Sequence, residues 1–98
     1  MDLIISHPAE IALNTLGEDD RRKIHAWFDH LRNWETDQFV QSKSRKLDLA
    51  GDESVYVLRT STDLRLFFIL GSDRIEVIDI ARRDSLERVG QASVRAHS

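Results

Sequence analysis

Ten basic side chains fall between residues 43 and 98, and nearly all of them are arginine, whereas residues 1–42 hold four bases against eight acids. Guanidinium groups are planar, permanently charged and matched to phosphate oxygens. Arg59 and Arg65 flank the turn-like run Ser61-Thr62-Asp63. If those three residues form a hairpin loop, Thr60 pairs with Leu64 and Arg59 lies directly opposite Arg65. Like charges opposite one another destabilise a sheet, and an anion held between them would relieve the repulsion. The competing arrangement splays both side chains into water. Arg65 has a further alternative, because a three-residue loop in the next hairpin sets it opposite Asp79 as an ion pair. Lys43, Arg45 and Lys46 form a second basic stretch, and Arg82-Arg83 a third just before Asp84. For that pair a solvated cluster or a helix cap is the plainer reading.

Other site chemistries find less support. His25 and His30 are five residues apart and do not share a helix face as a metal-binding i, i+4 pair would. His7 precedes a proline and His97 stands near the C-terminus, so no metal site is expected. The absence of cysteine excludes disulfides and thiolate-bound zinc and fits a cytoplasmic protein. No apolar run approaches the ~20 residues of a membrane span, and residues 1–6 lack the basic and apolar regions of a signal peptide. The net charge of −3 sets the chain apart from strongly basic nucleic-acid binders.

The elements that must position the basic residues follow from hydrophobic periodicity. Leu3–Ser6 reads as an opening strand. Pro8 suits a first helical turn, and Ala9, Ala12, Leu13 and Leu16 repeat at helical spacing up to Gly17. Glu18, Asp19 and Asp20 suit the positive end of a second helix, from about 18 to 35, with Ile24, Trp27, Phe28, Leu31 and Trp34 along one stripe. Trp27 and Trp34 thus read as core rather than as a base-stacking platform. Val55–Thr60, Leu64–Leu70 and Ile75–Ile80 are strand-like runs separated by Ser61-Thr62-Asp63 and Gly71-Ser72-Asp73. The polar segment 36–54, with a turn at Gly51-Asp52, is expected to cross the surface, and residues 91–98 to form a flexible tail. The expected fold is α+β, a single domain over 1–90 in which a helical hairpin packs on an antiparallel β-sheet in the order βααβββ.

That order resembles the RelE/ParE toxins, the growth-inhibiting halves of type II toxin–antitoxin pairs. The likeness is carried by Ser44-Arg45-Lys46-Leu47 before the meander, Tyr56-Val57-Leu58-Arg59 ending one strand, Leu64-Arg65-Leu66-Phe67-Phe68 opening the next, and Ile75–Ile80 running into Ala81-Arg82-Arg83-Asp84. It spans roughly residues 2–89. The resemblance implies a cytoplasmic toxin that inhibits translation by cutting ribosome-bound messenger RNA without metal or cofactor. In that reaction the ribose 2′-hydroxyl attacks the adjacent phosphate. Arg65 and Arg83 match the arginines that contact or stabilise the phosphate, with Lys46 a further basic position of the catalytic set. Lys43, Arg45, Arg59 and Arg82 would bind the RNA backbone. A cognate antitoxin is the implied partner. Leu86 and Val89 stand where many ribonuclease members carry a tyrosine or another proton-transferring residue. Two alternatives therefore accompany the ribonuclease: a DNA gyrase inhibitor acting by protein binding, and a degenerate member that retains only antitoxin binding.

Overall fold

A computed structural model describes residues 1–47 and 54–83 of the chain. The elements run β1 (Asp2–Ile5), α1 (His7–Asn14), α2 (Glu18–Arg32), α3 (Gln38–Ser42), β2 (Ser44–Lys46), β3 (Val55–Arg59), β4 (Leu64–Leu70) and β5 (Arg74–Arg82). The expected turn at Gly51-Asp52, the segment around Leu86 and Val89, and the tail at 91–98 lie outside the described residues.

The strands form one sheet in the order β1-β5-β4-β3-β2. The three-stranded meander and the two helices are as the sequence predicts, and the architecture is α+β. The sheet is wider than the meander and mixed. β1 joins β5 in parallel, with Leu3 opposite Ile75 and Ile5 opposite Val77, so the α1–α2 hairpin sits within a crossover from one edge of the sheet. At the other edge, segment 36–54 is not simply a surface crossing: it contributes α3 and β2, and β2 pairs antiparallel with β3.

Local signals set the helix boundaries. The Ser6 hydroxyl accepts from the Ala9 amide at 3.3 Å and caps α1, which has its proline in the first turn. Glu18, Asp19 and Asp20 occupy the first turn of α2, where their charges face the unpaired amides. Asp37 caps α3 by accepting from Val40 N at 3.0 Å.

The core lies between the helices and one face of the sheet. Ile24, Phe28 and Leu31 of α2 are buried with Leu58, Leu66, Phe68, Ile75 and Val77 in one cluster, against which Trp27 and Trp34 pack half-buried. Tyr56 stacks on Phe68 with ring centroids 5.4 Å apart, and Trp34 meets both rings edge-on. This cluster fixes which way each strand faces, because side chains alternate with period two.

Candidate nucleic-acid interface

The β3–β4 hairpin has the register expected from its turn: Leu58 pairs with Leu66 and Arg59 with Arg65. Thr60 N donates to the Leu64 carbonyl at 3.3 Å, and the Ser61 hydroxyl accepts from Leu64 N at 3.2 Å. Leu58 and Leu66 enter the core, so their neighbours Arg59 and Arg65 stand on the opposite face, which no described helix covers.

The next hairpin decides the alternative reading of Arg65. The turn pairs Leu70 with Ile75, one residue beyond a three-residue loop, and a bulge between Phe67 and Phe68 adds a second residue of shift, so that Asp79 lies opposite Phe67 and Arg65 opposite Ala81. The Arg65–Asp79 ion pair is therefore replaced by a neutral alanine, and Asp79 instead accepts from Ile80 N at 2.8 Å. A β-bulge places two residues against one, and its position was not legible in the alternating apolar pattern.

Arg65 is half-buried. Its Nη1 donates to the carbonyls of Ser61, Leu64 and Thr62 at 2.8, 3.0 and 3.3 Å, which clamps the turn and fixes the side chain. Its Nε and Nη2 make no hydrogen bond with the described residues. Burial holds its pKa below the usual arginine value, followed by repulsion from Arg59 and Arg83, with Asp63 opposing. The guanidinium remains charged throughout the accessible pH range. Arg65 thus senses both neighbouring arginines, as expected where positive charge is gathered.

The cations surround a shallow depression of about 240 Å³ lined by Lys43, Arg45, Val57, Arg59 and Arg65. Lys43 and Arg45 arrive on the α3–β2 segment, tied down where Arg59 N donates to the Lys43 carbonyl at 3.1 Å. Arg83 is anchored beside the hairpin by its backbone amide, which donates to the Asp63 carbonyl at 2.7 Å.

Of the seven residues singled out in the sequence, four thus line one depression, and Arg83 acts electrostatically on one of them. The other two stand elsewhere. Lys46 pairs with Tyr56, whose ring is on the helix side, so strand alternation separates it from Arg45. Arg82 pairs with Leu64, also on the helix side, and its guanidinium is 3.7 Å from Asp20 of α2. Val57 at the floor of the depression was not anticipated, since an apolar strand residue reads as core.

Among the described residues no histidine, carboxylate or tyrosine lines this depression, and Lys43 is its one side chain able to transfer a proton. Tyr56 is on the other face in the aromatic cluster. No group of three or more histidine, aspartate or glutamate side chains suited to a metal occurs among the described residues, and no helix there is long and apolar enough to cross a membrane.

The sequence matches no protein-family model and no curated relative. Solved structures do match. The archaeal RelE–RelB complex from Pyrococcus horikoshii superposes with a TM-score of 0.67 at 22% identity, covering 84% of this chain and 93% of the other. YafQ from Escherichia coli gives 0.71 at 14% identity, covering 87% and 96%. The E. coli RelBE toxin–antitoxin complex gives 0.58 at 20% identity, covering 82% and 93%. The fold is that of the RelE-like toxins. These matches cover 82–87% of this chain, so the likeness holds at the level of the fold.

Proposed function

We propose that this protein is the toxin of a type II toxin–antitoxin system and inhibits translation by metal-independent cleavage of ribosome-bound messenger RNA. The observation that carries the reading is the convergence of Lys43, Arg45, Arg59 and Arg65 on one depression of a face that no described helix covers, with Arg83 close enough to depress the pKa of Arg65. Like charges opposite one another on a sheet, as Arg59 and Arg65 are, cost stability, and a phosphodiester between them offsets that cost. Attack by a 2′-hydroxyl on phosphorus builds negative charge on the non-bridging oxygens. Preorganised guanidinium donors stabilise such charge, and removing one costs ~10²–10³-fold in rate. Arg65 suits this role because the turn carbonyls hold it in place before substrate arrives. Lys43, Arg45 and Arg59 then bind the flanking backbone. Lys46 and Arg82, on the opposite face, have less direct access to the same phosphate.

The protein partner follows from the same charge. RelE and YafQ have been solved in complex with RelB and DinJ. A cognate antitoxin carrying acidic residues is expected to lie against Arg65 and Arg83 and to neutralise the depression while the toxin is held inactive.

A second reading has its own observation: among the described residues no histidine or carboxylate lines the depression, which leaves Lys43 alone for proton transfer, and the only tyrosine is committed to the aromatic cluster. A DNA gyrase inhibitor acting by protein contact needs neither group. Primer extension on a translated message in cells expressing the protein separates the two. Discrete cuts that vanish with Arg83→Ala and Arg65→Ala support the ribonuclease. Intact transcripts with trapped DNA breaks overturn it in favour of the gyrase inhibitor. Growth inhibition with neither lesion overturns both, and no growth effect identifies a member retaining only antitoxin binding.

A further inference from the structure

Beside the cationic depression the structure holds an aromatic group that the proposed reaction does not use. Phe39 on α3 is 52% exposed, the same fraction as Ile11 on α1, yet its ring is fully engaged on one side. It stacks on Trp27 with centroids 5.4 Å apart and planes inclined by 13°. Trp27 is itself held from below, because its indole Nε1 donates to the Thr60 carbonyl at 3.1 Å. His30 closes the third side, with its ring 5.2 Å from Trp27 and 5.7 Å from Phe39. The imidazole is fixed in turn: its Nδ1 donates to Asp37 Oδ2 at 2.6 Å. A carboxylate has no proton to give, so this contact sets the tautomer. The result is a rigid aromatic step whose outer member faces solvent.

Lys43 joins this step to the depression. Its ammonium is 5.7 Å from the Phe39 ring centroid, and the same residue lines the cationic depression with Arg45, Arg59 and Arg65. A flat ring with adjacent backbone-binding cations is the combination by which proteins hold single-stranded nucleic acid: bases stack on the ring and phosphates follow the charge. The acids set the direction. Asp29 and Asp37 border the far side of His30 with Asn33 and repel phosphate, so the strand's backbone must run on the Lys43–Arg45 side.

We infer that Phe39, backed by Trp27, is a stacking shelf for one unpaired base of a single-stranded RNA whose neighbouring phosphates lie along Lys43 and Arg45 toward Arg59 and Arg65. Lys43 moves from the ring to a phosphate as the base arrives. This inference deepens the ribonuclease reading by adding a base-binding position beside the phosphate site. Stacking accepts any base but favours the larger purine surface, so adenine is held more tightly than uracil.

The test is fluorescence anisotropy with a labelled, uncleavable 2′-O-methyl hexaadenylate and its hexauridylate counterpart. Phe39→Ala is expected to weaken hexaadenylate binding by roughly tenfold, the low end of what one stacked base is worth, and to remove the preference for adenine. Phe39→Trp should restore both, and Phe39→Leu should not. Melting temperatures should stay near wild type, since the ring is half outside. If Phe39→Ala or Phe39→Leu binds as wild type does while charge reversal at Arg59 abolishes binding, the shelf is overturned and the cationic site stands. If the wild type binds neither oligonucleotide at low salt, shelf and RNA-binding reading fall together. If Phe39→Ala weakens binding and reversal at Arg59 does not, the shelf stands and the phosphate track is overturned.

Discussion

The two faces of strand β4 differ more than any two elements of the molecule. Leu64, Leu66 and Phe68 point to the helices and are at most 2% exposed. Arg65, Phe67 and Ile69, which alternate with them, are half-buried on a face that no described helix covers. One face holds the fold together by excluding water, and the other collects charge that the fold does not need. The difference teaches that the two tasks separate along a strand with a period of two residues. A substitution one position away therefore changes task, from stability to binding, with little of the other.

The contrast breaks if a core truncation and a surface truncation behave alike. Phe28, 4% exposed, faces the buried side of the sheet. Phe28→Ala should cost ~3–5 kcal/mol, the range for emptying a large buried aromatic position. A melting shift no larger than that of an exposed control such as Arg45→Ala would overturn the placement of α2.

Next in size is the effect on activity. Arg83→Ala should lower message cleavage ~10²–10³-fold with the fold retained. Arg82→Ala, one residue earlier and paired with Asp20 on the helix side, should leave cleavage within a few fold of wild type. Equal losses at both positions, measured by primer extension, would show that the engagement of Arg82 with Asp20 does not keep it from the phosphate site.

A smaller effect sharpens the charge argument. Arg59 stands opposite Arg65, and like charges so placed destabilise a sheet by roughly 0.2–1 kcal/mol. Arg59→Ala should raise the melting temperature slightly at low salt and reduce the stabilisation that added phosphate gives the wild type. A lower melting temperature at low salt, with phosphate stabilisation unchanged, would mean that the pair splays without strain.

The smallest effect is seen in a difference between two pH values. Val40 N and His30 donate to the Asp37 carboxylate and hold its pKa below the ordinary value. A depressed carboxylate contributes stability that is present above its unfolded pKa and is lost as the pH falls through the folded one. Asp37→Asn keeps a good helix cap and removes only the charge. It should therefore lower the melting temperature at neutral pH and converge with wild type once the pH drops below the ordinary aspartate range. A gap of constant size across that window would assign the loss to the cap and not to the charge.

The sequence by itself determined the helical stripe from Ile24 to Trp34, the three meander strands and the Arg59–Arg65 register. Each rests on local periodicity or on a turn of fixed length, and both act within a few residues. It also named the basic residues that converge on the open face. Tertiary structure decided the rest. The parallel pairing of β1 with β5 joins residues more than seventy positions apart, a contact that no local pattern encodes. The three residues of β2 are polar and become a strand only because the edge of β3 offers unpaired backbone groups. The longer turn between Leu70 and Ile75 and the bulge at Phe67/Phe68 together moved Asp79 away from Arg65 and left the arginine opposite an alanine. Alternation then divided Arg45 from Lys46 and turned Arg82 to the helix side, although composition treats these cations as interchangeable. Phe39 stood in a segment read as polar, and only the packing of α3 against Trp27 gave it a partner. Residue type set which charges were available, and the face of the sheet each one occupies depended on pairing with distant strands.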